Sequence, residues 1–365
     1  MNLLLVIYSL SCGGAERVLS TLANAWAELG YTLSVATLDS NPPFYPVSSS
    51  VRLYPLKVAS QSETGAVSAV LGNVRRVAAL RQCIRSVNPD LVVSFMTPTN
   101  VLAILAARGC EVPVIVCEHT DPRHQNLNLA WSALRLVTYP FADAVTFLTS
   151  NVLRRWESWL AGKARLMPNP VSIDAACPPA ILSHPRNLIA AGRLIHLKGF
   201  DMLIEAFGII AARHPDWGLT IIGEGGMRSQ LERQIQETGL ARQVQLPGRM
   251  TNPHAWFAQA DVFVLSSRYE GLPCSLCEAM ACGTPAISFD CESGPADVIR
   301  DGVDGVLVPP GNVGALASAL DELMTNQEAR ERMGLRAVEV QQRFGTPQIL
   351  DLWDRLFSSL GVEVS

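Results

Sequence analysis

Short apolar runs alternate with helix-period segments along almost the whole chain. Leu3–Ile7 is a continuous apolar run, and behind Gly13-Gly14 the residues Val18, Leu19, Leu22, Ala23 and Trp26 recur at the spacing of one helix face. Leu33–Leu38 and Val51–Leu56 predict further strands, and Asn73–Val87 predicts a helix stopped by Asn88-Pro89. Leu91–Phe95, Val114–Cys117 and Ala144–Leu148 complete the first strand series. Around 168–185 the period lapses, with prolines at 168, 170, 178, 179 and 185, a linker composition. The alternation then restarts. Leu188–Ala191, Leu219–Ile222, Val244–Leu246, Val262–Leu265, Ala286–Phe289 and Val306–Val308 predict strands with helices between them, and three helical stretches follow Asn312. Strands apolar on both faces and separated by helices belong to parallel sheets covered on both sides. The expectation is an α/β chain of two doubly wound, Rossmann-like domains facing a cleft, a first over 1–172 and a second over 173–345.

Composition narrows this picture. The chain has 365 residues, 48% apolar and 17% charged, and a mean hydropathy of +0.21, which argues against disorder. No apolar run reaches the roughly 18 residues of a spanning helix, so a transmembrane protein is not expected, while a surface-bound one remains open. The net charge of −4 hides an asymmetry: residues 1–170 carry 14 basic and 10 acidic side chains and residues 171–365 carry 15 and 23, so the halves are +4 and −8. A basic half suggests one lobe that faces phospholipid, nucleic acid or a phosphorylated substrate. The nine scattered cysteines include several in apolar runs, as small core hydrophobes, and suit a reducing compartment. Leu3–Leu10 is similar to a signal-peptide core, but no Lys or Arg precedes it and a helix pattern follows. A cytoplasmic location is expected.

Open parallel sheets bind ligands beyond the carboxyl ends of their strands, which selects a few segments. Gly13-Gly14, after the first strand, opens a helix that can offer N–H groups to an anion, or is a plain tight turn. Glu118-His119-Thr120 leaves the Val114–Cys117 strand, and His119 suits a sugar hydroxyl or leaving group, or is a surface histidine bonded to a carbonyl. Arg193 and Lys198 follow the first strand of the second domain and suit a pyrophosphate, unless both are simply solvated. Gly223–Gly226 is a glycine-rich loop or a turn. The most informative stretch runs from Ser266 to Pro285. Glu270 lies in a loop, a helix starts near Cys274 or Ser275, and Glu278 sits one turn in. Two carboxylates flanking a helix start can accept hydrogen bonds from hydroxyls on either side of a diphosphate. Cys274, Cys277, Cys282 and Cys291 are read as packing residues rather than a zinc or redox site. The 73–87 helix carries Val74, Val77, Ile84 and Val87 on one side and Arg75, Arg81 and Arg85 elsewhere, either a solvated face or one drawn to anionic lipid or a lipid diphosphate. Trp131, Trp156 and Trp159, near Arg123, Arg135, Arg154 and Arg155, add a possible interfacial anchor.

Gly192-Arg193 with Lys198-Gly199, the Glu270-to-Glu278 pair and Gly283-Thr284-Pro285 resemble the retaining glycosyltransferases of family 4, which have the GT-B fold. Gly13-Gly14-Ala15-Glu16-Arg17, Glu118-His119 and Asn169-Pro170-Val171 extend the resemblance over nearly the whole chain. Ser94-Phe95 and Tyr139-Pro140 are most similar to the bacterial branch that extends polyprenyl-diphosphate-linked glycans, N-acetylgalactosaminyltransferases included. The resemblance implies transfer of a sugar from a UDP-sugar to a lipid-linked saccharide, at the inner face of the cell membrane and peripherally bound to its anionic surface. By the same token Arg193 and Lys198 hold the donor diphosphate, Glu278 the ribose and Glu270 the sugar. The Gly271-Leu272-Pro273 turn lies along the donor, Gly248-Arg249 meets the base, and Gly13, Gly14 and His119 approach from the first domain. The final helix, within 346–365, packs back on the first domain. No Asp-x-Asp is present, Asp290-Cys291-Glu292 being its nearest approach, so neither metal nor other cofactor is expected. The rival readings are a GT-B-fold epimerase or hydrolase of nucleotide sugars and a non-catalytic sugar-binding protein. Nucleic-acid binding is not expected, because basic and aromatic residues do not interleave.

Overall fold

The computed structural model describes every residue except 60–65, 122–124, 126, 174–183, 185, 251 and 364–365. Much of the expected linker therefore lies outside the described residues. The chain forms two compact units, Met1–Pro170 with Thr346–Ser365, and Val171–Gly345.

In the first unit the described strands are β1 (Asn2–Ile7), β2 (Thr32–Thr37), β3 (Arg52–Pro55), β4 (Leu91–Phe95), β5 (Val114–Glu118), β6 (Ala144–Phe147) and β7 (Ala164–Leu166). All are parallel, in the order β3-β2-β1-β4-β5-β6-β7. Alternate residues of β1 serve opposite faces, as the two-residue side-chain period dictates. Leu3, Leu5 and Ile7 pack with α1 (Gly14–Glu28), whereas Leu4 and Val6 pack with α2 (Ala66–Val87) and α3 (Thr97–Ala107). Beside α3 runs α4 (Leu129–Thr138), and α5 (Ser150–Trp156) follows β6.

The second unit repeats the plan with β8 (Arg186–Ala191), β9 (Trp217–Ile222), β10 (Val244–Gly248), β11 (Val262–Leu265), β12 (Ala286–Phe289) and β13 (Gly305–Val308), all parallel in the order β10-β9-β8-β11-β12-β13. Its helices are α6 (Phe200–Ile210), α7 (Arg228–Glu237), α8 (His254–Gln259), α9 (Cys274–Ala281), α10 (Pro295–Val298), α11 (Val313–Thr325), α12 (Gln327–Ala337) and α13 (Gln341–Phe344). The last helix, α14 (Thr346–Ser359), belongs to the first unit. Its Trp353 and Phe357 enclose Trp26 of α1 at ring-centroid distances of 5.6 and 5.7 Å, an aromatic cluster that anchors it to α1.

Both sheets are the doubly wound Rossmann-like arrangement that the alternation predicts. The differences have local causes. β7 was not anticipated, because it is a three-residue edge strand with two residues exposed and carries no period. The expected Val51–Leu56 strand is the shorter edge strand β3, and α2 begins at Ala66 rather than near Asn73. Val74 is 59% exposed, so it does not share the buried side with Ile84.

Candidate active site

In each sheet the strand order reverses once, between β1 and β4 and between β8 and β11, and the crevice at the carboxyl ends there is the place for a ligand. In the second unit that place is densely built. Gly199 has φ +62, and a Cβ on it would stand 2.0 Å from the Ser266 carbonyl oxygen; a Cβ on Gly223 would stand 1.8 Å from the Gly192 oxygen. Glycine is required at both, because three loops touch there backbone to backbone. The close approach brings Lys198 Nζ to 2.5 Å from Glu270 Oε1, which also accepts from Ser267 Oγ at 2.6 Å. Ser266 Oγ donates to the Lys198 carbonyl at 3.0 Å. The turn Gly271-Leu272-Pro273 leads into α9, whose N-cap position, Pro273, supplies no side-chain cap; a helix start of this kind suits an anion. Ser275 Oγ ties that turn to the Ala191 carbonyl at 3.3 Å. Glu278, one turn in, is buried with Nε2 of the α8 residue His254 at 3.6 Å. Arg193 is exposed beside this group, and so is Arg249 after Gly248, which ends β10 at φ +93. Glu224, in the glycine loop, is held by Arg228 at 2.6 and 2.9 Å, which keeps its carboxyl below the usual carboxylate range.

In the first unit Gly13 caps α1 in an extended conformation, and the Glu16 carboxylate folds back over it within the first turn. The start of α1 therefore already carries a negative charge. At the end of β5, the His119 ring stacks on Phe95 with centroids 5.4 Å apart. Burial lowers its pKa to about 4, so the imidazole is neutral at neutral pH. Its neighbour Glu118 is buried and accepts from the Tyr139 hydroxyl, from Thr97 Oγ1 at 2.9 Å and from Gln125 Nε2 at 2.8 Å. Burial pushes this carboxyl above its ordinary range, against those hydrogen bonds and the charge of Arg135.

Two family models match successive parts of the chain: Glycosyltransferase Family 4 over residues 12–175 and Glycosyl transferases group 1 over residues 179–340. The chain belongs to the family 4 glycosyltransferases. It is 28% identical, over 99% of both chains, to the GalNAc-alpha-(1->4)-GalNAc-alpha-(1->3)-diNAcBac-PP-undecaprenol alpha-1,4-N-acetyl-D-galactosaminyltransferase of Campylobacter jejuni. It is 25% identical to the amylovoran biosynthesis glycosyltransferase AmsD of Erwinia amylovora, over 98% of this chain and 99% of that one. Among solved structures, sucrose-phosphate synthase from Thermosynechococcus elongatus superposes with a TM-score of 0.84 at 19% identity, covering 99% of each chain. Anabaena HepE in complex with UDP gives 0.82 at 18% identity, covering 98% of this chain and all of that one. These two show a shared GT-B fold.

Within this glycosyltransferase the structure gathers Arg193, Lys198, Glu270, Gly271, Leu272, Pro273 and Glu278 in the second unit and sets His119 at the end of β5 in the first. The expected basic face of α2 is smaller than its sequence implies. Arg81 donates to the carbonyls of Ala106 at 3.0 Å and Leu105 at 2.8 Å, capping the last turn of α3, while Arg75 and Arg85 are exposed. Of the expected tryptophan anchor, Trp131, Trp156 and Trp159 are partly buried against the core, and Arg135 is buried with its guanidinium 5.2 Å from the Trp156 ring. Arg123 lies outside the described residues, as does Cys177. Among the described residues no group of three or more His, Cys, Asp or Glu could hold a metal ion, and no helix is long and apolar enough to cross a membrane. A cavity of about 690 Å³ is lined by Asp261, Pro285, Arg330 and Leu335. Asp261 and Pro285 precede β11 and β12, at the amino ends of the strands, away from the ligand-binding end. Ser267, His254, Thr97, Gln125 and Tyr139 were missed as site residues. Their partners lie 3 to 39 residues away in sequence, at separations that follow no single helix or strand period.

Proposed function

We propose that this chain is a retaining, metal-independent glycosyltransferase that moves an N-acetylhexosamine or hexose from a UDP-sugar to a lipid-linked saccharide, in assembly of a bacterial surface or protein glycan. The observation that carries this reading is the Lys198–Glu270 pair, 2.5 Å apart, beside the uncapped start of α9 and the exposed Arg193. Lys198, Arg193 and the α9 N–H groups hold the donor diphosphate. They also take up the charge that grows on phosphate as the glycosidic bond breaks, where fixed positive groups lower the barrier most. Glu270, oriented by Lys198 and Ser267, accepts from sugar hydroxyls. Glu278 accepts from the ribose, and Gly248 and Arg249 meet the base. From the first unit the family resemblance offers Gly13, Gly14 and His119 as substrate-contacting groups, and a neutral His119 can hydrogen-bond a hydroxyl without adding charge. Fixed cations replace a divalent ion in this scheme, so transfer survives a chelator. The acceptor assignment is supported by the name of the Campylobacter relative, and the UDP assignment by the ligand of HepE. Peripheral binding to the anionic inner face of the cell membrane rests on Arg75 and Arg85, with Val70, Leu71 and Val74 exposed on the same helix.

A panel of nucleotide sugars screened for thermal protection tests the donor, since a ligand at 100 times its dissociation constant adds about 2.7 kcal/mol. Transfer to a lipid-linked saccharide with chelator present, with the product's anomeric configuration read by NMR, tests the rest. Consumption of donor at the same rate without acceptor would overturn the transferase reading.

A further inference from the structure

Three side chains hydrogen-bond Glu118, and nothing in the proposed chemistry uses them. Tyr139, just after α4, donates its hydroxyl to Glu118 Oε1 and in turn accepts from Asn100 Nδ2 at 3.1 Å. Asn100 also donates to the Cys117 carbonyl at 3.0 Å. Thr97 Oγ1, at the start of α3, lies 2.9 and 3.0 Å from the two carboxylate oxygens and 2.6 Å from Gln125 Oε1, so its one proton is shared between Glu118 and Gln125. Gln125 Nε2 donates to Glu118 Oε2 at 2.8 Å and to the Thr120 carbonyl at 3.3 Å, so one amide grips the chain on both sides of His119. Arg135 donates to Gln125 Oε1 at 3.3 Å and supplies the compensating charge.

A buried carboxylate is a costly way to pack a strand end, since an apolar residue of similar size would do it without desolvation. Its particular capacity is to accept several hydrogen bonds at once. Here, one residue before His119, those come from Thr97 of α3, from Tyr139 just after α4 and from Gln125 beyond β5. The opposing strand end is strained to match. Met96, a non-glycine residue, has φ +75, a conformation that persists where the surroundings enforce it. The kink lets neighbours meet neighbours: Phe95 stacks on His119 while Thr97 binds Glu118.

We propose that Glu118 is a positioning residue: held by Tyr139, Thr97 and Gln125, it fixes the His119 imidazole against Phe95 in the orientation that the sugar requires. This rests on the assignment of His119 to the sugar. It predicts that disturbing the clamp lowers turnover while leaving UDP affinity intact, because the groups assigned to UDP lie in the second unit.

The test uses the full chain with Glu118→Gln, Gln125→Glu and the double exchange Glu118→Gln/Gln125→Glu. Glu118→Gln turns an amide N–H₂ towards donors, and Gln125→Glu sets two carboxylates face to face. The exchange restores one carboxylate–amide bond with its direction reversed. Each single change should lower kcat by 10-fold or more, shift the His119 ring resonances in NMR, and leave UDP affinity by calorimetry within twofold. The double exchange should recover part of kcat and return the His119 signal towards its original position. An unmoved His119 signal, or unchanged kcat in both single variants, overturns the proposal. So does loss of UDP affinity in step with kcat, which would mark a general loss of structure. If the wild-type chain shows no transfer but the His119 signal responds as expected, the functional reading fails and the clamp stands.

Discussion

The carboxyl ends of β8 and β11 flank the strand-order reversal of the second sheet, that of β5 lies one strand beyond the reversal of the first, and the two places treat charge in opposite ways. At the end of β5 the Glu118 carboxylate is enclosed by donors, and His119 beside it is neutral. Across the same sheet the start of α1 is already covered by the Glu16 carboxylate. At the ends of β8 and β11, Lys198 is only partly enclosed, Arg193 is exposed, and the start of α9 carries no side-chain cap. Net charge points the other way, since the first half of the sequence is +4 and the second −8. The acidic half thus holds the site best suited to an anion. A sum over a hundred or more residues reports solubility and long-range attraction; binding of a diphosphate depends on a few groups within hydrogen-bond reach.

The largest predicted effect tests the charged end directly. Lys198→Ala should cost about 100- to 1000-fold in turnover, the typical cost of removing one fixed group at developing charge, with a smaller change in donor affinity. Near-normal turnover in a folded variant would move the diphosphate elsewhere and erase the contrast between the two ends. Glu278→Ala should act through binding. Loss of hydrogen bonds to a charged group, about 1.5–3 kcal/mol, corresponds to roughly 10- to 100-fold weaker UDP binding by calorimetry, with turnover at saturating donor affected less.

The neutral end makes a pH prediction. The His119 pKa falls from 6.5 to about 4 on folding. Between those values the unfolded chain binds a proton that the folded chain does not, so this group costs stability as pH falls from 6.5 towards 4. His119→Phe should therefore lose less stability than wild type over that interval in denaturant melts. An identical pH dependence in both proteins would show that the imidazole is not held neutral. The smallest effect concerns the surface. Arg75→Glu and Arg85→Glu should each weaken binding to anionic vesicles by more than the about 1 kcal/mol attributed to one basic residue, and Arg81→Gln should weaken it less, because Arg81 caps α3. Equal effects from all three would show that the α2 face acts as a uniform cationic surface.

The sequence by itself determined the alternation of strand and helix, the doubly wound class and the short segments in which ligand-facing residues sit. Parallel sheets place those residues directly after apolar strands, so Gly192–Gly199, Glu118-His119 and Glu270–Glu278 could be read off as contiguous pieces. Which side chains meet was decided only by the tertiary structure. Lys198 finds Glu270 across 72 residues, and Arg81 finds the carbonyls of Ala106 and Leu105 across 25 and 24. Glycines at 199 and 223 look like ordinary turns until another loop's carbonyl is seen against them. Val74 shows the same limit: periodicity states which residues share a helix face, but not where along its length that face is covered. Period and composition are local properties of the chain, whereas a hydrogen-bond partner, a buried charge and a shifted pKa belong to the neighbours that folding brings into contact.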